Sequence, residues 1–168
     1  MIATAMNSPD LEEPMTIPTP DLWYSFIRAH RCLIREIERR LAEQGLPPYA
    51  WYDALWGIES GEEGARRMHE LADVMAIERY NLTRLVDRLE KEGYVAREKA
   101  AEDGRGAIAR ITDSGRDLRK RMWAVYKHSV EELFLVAFDE EQQRVFASAL
   151  EQASGNARLS PTPGQAKR

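Results

Sequence analysis

Apolar positions along most of the chain recur at helical spacing, and one stretch alternates instead. Leu22, Phe26, Leu33, Ile34, Ile37 and Leu41 follow a period close to 3.6, with Asp21 placed to cap the helix and Gly45 to stop it. Pro47 and Pro48 suit the start of a second helix, where a missing N–H costs nothing, and Tyr52, Leu55, Trp56 and Ile58 supply its apolar side before Gly61 and Gly64. A short helix follows over Met68 to Met75, with Leu71, Ala72 and Met75 inward. After a tight break, Arg79 to Lys91 forms another, with Leu82, Leu85, Val86 and Leu89 inward. Two short helices so closely spaced predict a helix-turn-helix.

The period then changes. Beyond Gly93, Tyr94 to Lys99 and Ala107 to Ile111 alternate in polarity, which predicts a two-stranded hairpin with Asp103, Gly104, Arg105 and Gly106 at its tip. From Thr112 a long helix carries Leu118, Met122, Val125, Tyr126, Val130 and Leu133. Asp139 with Gln142 resembles a capping box opening a last helix through Val145, Phe146, Ala149 and Leu150. The fold class predicted is mainly α with a small β-hairpin wing. A winged helix-turn-helix core over 46–112 is joined to helical dimerisation segments over 21–45 and 113–153. The terminal helices, with Trp123, Phe134, Phe138 and Phe146, carry more apolar surface than the small central unit can cover, so they predict a homodimer. The proline-rich segment 1–20 and the Ser/Pro/Gly/Ala-rich segment 154–168 read as flexible tails.

Composition narrows the function classes. The 168 residues suffice for one ordinary domain, and the balance of 43% hydrophobic and 31% charged residues, with mean hydropathy −0.53, is that of a folded soluble chain. No segment approaches the length of a membrane span, and the N-terminus lacks a signal-peptide pattern, so the expected location is the cytoplasm and no membrane partner is expected. The net charge of −4 does not advertise nucleic-acid binding, so any such role must rest on local charge. No catalytic constellation or glycine-rich phosphate loop occurs, which argues against an enzyme and against a cofactor. Cys32 is the single cysteine and excludes an intramolecular disulfide; beside Leu33 and Ile34 it reads as a buried, inert thiol. His30, His69 and His128 are scattered without a metal-ligand spacing, so no metal is expected.

Four segments in order, Arg67-Met-His-Glu-Leu-Ala-Asp73, Asn81-Leu-Thr-Arg-Leu-Val-Asp-Arg-Leu-Glu-Lys-Glu-Gly93, Glu102-Asp-Gly-Arg-Gly106 and Ile111-Thr-Asp-Ser-Gly-Arg116, resemble successive signatures of the MarR family of bacterial transcriptional regulators. Trp51-Tyr-Asp-Ala-Leu55 resembles its second helix, and the likeness runs from about Asp21 to Ala153. That resemblance implies a winged helix-turn-helix homodimer that binds double-stranded DNA at a pseudopalindromic operator. The resemblance further implies release, as is usual in the family, by a small ligand, often an aromatic or phenolic acid, and the chain is read as a ligand-responsive repressor.

On the residues themselves, the first turns of a recognition helix contact bases, and here they carry Arg79, Tyr80, Asn81, Thr83 and Arg84. Arg84 matches the family position that reaches base edges, while Thr83 and Arg88 suit phosphates. Arg105 matches the wing arginine placed in the minor groove, Asp103 matches the acid that steadies the wing loop, and Gly104 and Gly106 let the tip turn. Lys99 and Arg97 fit either phosphate contacts or plain strand surface. Glu78 stands where the family commonly has a serine cap. An effector pocket is expected where the dimer helices meet the winged domain, with His30, Trp51, Tyr52 and Trp56 as lining. From Ile77 to Arg116, nine bases (Arg79, Arg84, Arg88, Lys91, Arg97, Lys99, Arg105, Arg110, Arg116) face eight acids (Glu78, Asp87, Glu90, Glu92, Glu98, Glu102, Asp103, Asp113). That near-neutral balance is the one feature favouring the alternative, a winged-helix protein-interaction module without DNA binding.

Overall fold

The computed structural model describes residues 21–99 and 106–159, in two compact units that divide after Cys32. Helix α1 (Leu22–Glu43) runs through both. Its first part, up to Cys32, carries a ladder of rings, Trp23 on Phe26 and Phe26 on His30, with centroids 6.2 and 6.5 Å apart. Leu22 and Trp23 are 75% and 70% exposed there. Cys32 is exposed too, contrary to the buried thiol expected. Its neighbours Leu33 and Ile34 are only partly buried, so on this helix apolar sequence neighbours do not report burial.

In the second unit α1 ends as the sequence requires. Gly45, at φ +65°, lets its own N–H reach the Ala42 carbonyl and that of Leu46 reach the Leu41 carbonyl, a Schellman closure with Leu41 and Leu46 both buried. The elements that follow are α2 (Tyr49–Glu59), β1 (Ala65–Arg67), α3 (Met68–Met75), α4 (Arg79–Lys91), β2 (Val95–Lys99), β3 (Ala107–Ile111), α5 (Asp113–Leu133) and α6 (Glu140–Leu159). The core draws Ile37 and Leu41 from α1, Leu55 and Ile58 from α2, Leu71 from α3, Leu82, Val86 and Leu89 from α4, Val95 and Ile111 from the strands, and Leu118 and Met122 from α5. The helix-turn-helix is thus pinned by its apolar stripes to the start of the long C-terminal helix.

Two boundaries differ from expectation. The wing is not a two-stranded hairpin alone: β3 is the centre of an antiparallel sheet ordered β1-β3-β2, with Arg66 opposite Ala109 and Arg97 opposite Ala109 from the other side. Three residues between a 3-10 turn and α3 are too short to show an alternating pattern, so β1 leaves no sequence signal. Helix α6 continues through Leu159, past Ala153, because nothing between Ser154 and Leu159 obliges a helix to stop. Its start is as expected: the Gln142 N–H donates to Asp139 Oδ1 at 2.8 Å, and the Gln142 side chain accepts from the Asp139 N–H at 3.0 Å. Thr112 caps α5 by accepting from the Gly115 N–H at 3.1 Å, and its hydroxyl donates to the Gly93 carbonyl at 2.8 Å.

Candidate nucleic-acid interface

Helix α4 has three stripes with three roles. Leu82, Val86 and Leu89 are buried and fix its roll against the core. Thr83, Asp87 and Glu90 lie along the side that meets β2 through Arg97. Tyr80, Arg84 and Arg88 face outward, with Arg79 and Asn81 exposed beside them. The expected base-reading residues are therefore accessible together. The Arg84 guanidinium stands over the Tyr80 ring, 5.6 Å from its centroid, with Nη1 3.4 Å from the Tyr80 hydroxyl. That stacking holds a long side chain partly extended before any ligand arrives. Thr83 is less free than expected of a phosphate contact, because its hydroxyl donates to the Arg79 carbonyl at 2.9 Å and keeps only its lone pairs.

The turn into α4 is unusual. Ala76 takes the left-handed conformation, φ +52°, where a glycine is the ordinary choice. Its N–H and that of Ile77 close α3 on the Asp73 and Ala72 carbonyls. Glu78 occupies the N-cap with no side-chain cap bond, so its side chain does not satisfy the first-turn N–H groups of α4. Beside this turn lies a half-open groove of about 390 Å³, lined by Arg67, Met68 and His69 from the start of α3, Arg79, Leu82 and Thr83 from α4, and Gly106 and Ala107 from the start of β3. No acid is among these described lining residues. Arg67 and His69 were not assigned to DNA contact from the sequence, although both stand at the polar lead-in to α3.

The charge balance resolves into two populations. Arg97 pairs with Asp87 at 2.5 Å and Glu90 at 3.6 Å, Arg110 with Glu98 at 2.7 Å, and Arg116 with Glu59 at 2.9 Å. The Arg110 guanidinium holds the Glu98 carboxyl below the ordinary carboxylate range. These pairs spend acids on scaffold arginines, while Arg79, Arg84, Arg88 and Lys91 have no acidic partner among the described residues. Arg97, left open between strand surface and phosphate contact, is thus an internal tie. Lys99 pairs in backbone register with Ala107. Gly106, at φ +109°, has the conformation that asks for glycine. Asp103, Gly104 and Arg105 lie outside the described residues.

The expected effector residues have different surroundings. Tyr52 is buried, stacked on Trp123 with centroids 5.9 Å apart and 4.9 Å from the Tyr126 ring. Trp51 turns to Tyr94 in an edge contact at 6.0 Å, Trp56 is 46% exposed, and His30 belongs to the first unit, packed on Phe26. The aromatic surface joining α2 to α5 is built instead by Tyr49, Tyr52, Trp123 and Tyr126, and burial raises the Tyr49 and Tyr52 hydroxyl pKa values. Among the described residues, no cluster of His, Cys, Asp and Glu is suited to hold a metal ion, and no helix is long and apolar enough to cross a membrane.

A helix-turn-helix with a sheet behind it and an exposed cationic stripe along its second helix, without acidic partners among the described residues, defines a winged helix-turn-helix protein. Residues 44–106 match the family model of the MarR family. A MarR family transcriptional regulator of Streptomyces coelicolor, Sco3205, solved in complex with DNA, is 28% identical with a TM-score of 0.81, covering 93% of this chain and 97% of its own. AbsC, a second MarR family regulator of that organism, is 23% identical with a TM-score of 0.80 over 89% of this chain and all of its own, a likeness of fold. The uncharacterised regulator YkoM of Bacillus subtilis is 22% identical over 147 residues, 86% of this chain and 89% of its own. Over residues 44–106 the chain is thus similar to the MarR family, and these solved MarR family transcriptional regulators share its fold.

Proposed function

We propose that the protein binds double-stranded DNA as a homodimer at a pseudopalindromic operator, acts there as a repressor in the cytoplasm, and is released by a small aromatic or phenolic effector. The observation that carries DNA binding is the segregation of charge on α4. Asp87 and Glu90 on the helix are tied to Arg97 and Glu98 is tied to Arg110, leaving Glu78 and Glu92 at the helix ends, while Arg79, Arg84, Arg88 and Lys91 have no acidic partner among the described residues and lie along one exposed helix. The near-neutral sum that favoured an interaction module without DNA binding therefore overstates the negative charge facing a phosphate backbone, since three of its acids are held in ion pairs. Dimerisation is supported by apolar side chains left uncovered, Leu22 and Trp23 on α1 and Val136 and Val145 towards α6, a helix with no fully buried side chain among the described ones. The groove by α3 suits a sugar–phosphate strand, and Arg105 and Lys99 are assigned to the wing's contacts. The effector reading rests on the aromatic face between α2 and α5.

The test is selection of DNA from a random pool by the purified full chain, followed by sequencing. Enrichment of two inverted half-sites about one helical turn apart is expected. Recovery of no enriched sequence contradicts the reading.

A further inference from the structure

Arg97 sits where the strand pattern calls for an apolar side chain. It lies two residues beyond the buried Val95, on the same face of β2, and its side chain is 24% exposed. From there it spans to three residues of α4 that lie at successive turns of one stripe. Nη2 donates to the Thr83 carbonyl at 3.2 Å, and Nη1 pairs with Asp87 at 2.5 Å and Glu90 at 3.6 Å. The Arg97 backbone N–H donates to Glu90 Oε1 at 3.1 Å, so the same acid grips strand and side chain together. Its Nε is buried with no acceptor among the described residues. An arginine with an unmatched buried donor is a poor way to gain stability, since an apolar residue of similar volume avoids that penalty. What a planar fork supplies is geometry, because its bonds are satisfied only in one orientation.

Helix α4 otherwise meets the wing through a turn at Gly93, a residue at φ +77°, and through Val95 in the core. A DNA-binding wing must reach one groove while α4 occupies another, so the angle between them sets whether both contacts form at once. We propose that Arg97 is a positioning residue that locks the wing to the recognition helix and so couples minor-groove to major-groove binding. This rests on the DNA-binding reading above. The clamp also holds Asp87 and Glu90 in ion pairs, which keeps two carboxylates on the recognition helix from opposing phosphate.

The experiment compares wild type with Arg97→Met, which keeps the stem and removes the fork, and Arg97→Lys, which keeps the charge alone. Amide hydrogen exchange on the DNA-free protein is the first readout. Arg97→Met is expected to raise exchange about tenfold over β2 and β3 while the buried turns of α4 stay protected. The second is affinity for the selected operator and for versions with A·T exchanged for G·C beneath the wings. Affinity is expected to fall about tenfold, preference for A·T flanks to vanish, and half-site discrimination to persist, with Arg97→Lys only partly restoring the flank preference. Unchanged exchange with unchanged flank preference overturns the proposal, as does equal loss of flank and half-site discrimination. Should Arg97→Met fail to fold, Asp87→Asn, which leaves the Thr83 and Glu90 contacts, carries the same measurements. Should wild type select no DNA, the DNA-binding reading fails while the exchange data still decide the clamp.

Discussion

Asp53 carries a charge in a place that disfavours it. It lies on α2 beside Tyr49 and Tyr52, and burial raises its carboxyl pKa above the ordinary value. For an acid raised in the folded state, the native chain holds its proton longer than the unfolded chain, so stability falls as pH rises through and above the carboxyl range. Asp53→Asn should therefore give a higher thermal midpoint than wild type at pH 7 and a smaller difference near pH 4; a variant less stable at pH 7 contradicts this. Glu36 works in the opposite sense. Hydrogen bonds from Arg39 and Arg40 hold it at about 2, so its contribution is present above pH 4.5 and is lost as pH falls towards 2. Residue roles were legible in the sequence where one helix decides them: Tyr80, Arg84 and Arg88 share a face by spacing alone. They were not legible where the partner lies on another element. Arg97 reads as either a phosphate contact or strand surface until Asp87 and Glu90 are seen against it, and Cys32 reads as buried until its helix is seen to leave that position open.

At the scale of elements, the turn between α3 and α4 is the strained joint. Ala76 at φ +52° pays a steric penalty that glycine avoids, partly offset by glycine's larger entropy in the unfolded chain. Ala76→Gly should stabilise the fold by about 0.5–1 kcal/mol, seen as a higher denaturant midpoint at unchanged slope. A lower midpoint would show that the alanine methyl makes a contact worth more than the strain. The bounds of α3 and α4 were readable because apolar residues at 71, 72, 75 and then 82, 85, 86, 89 mark two separate helices, and the first residue past each is visible as a break. Strand β1 was not, since its pairing partner Ile108–Arg110 lies forty residues away and only tertiary register creates it. The capping pair Asp139 and Gln142 shows the converse, a reciprocal bond within four residues that the sequence states outright.

At the scale of the whole molecule, the exposed apolar faces bear on assembly and the cationic face of α4 on DNA. Apolar side chains stand exposed on α1 and near α6, and α6 packs on the rest of its chain chiefly through the half-buried Phe146 on Phe134 and Phe138, which leaves its other apolar residues wanting a partner. Sedimentation of the full chain at micromolar concentration should show a dimer, and truncation after Ala137 should yield monomeric or aggregated chains; a stable full-length monomer contradicts the dimer and, with it, the palindrome. The most direct test of the central claim, that α4 reads base edges, is the affinity of wild type and Arg84→Ala for the selected operator and for a scrambled duplex of equal length and salt. The account predicts that the substitution weakens operator binding by about 1–3 kcal/mol per lost bidentate contact and leaves the scrambled duplex nearly unchanged. Equal weakening on both duplexes would contradict it, because Arg84 would then hold phosphate and the helix would not be the reader.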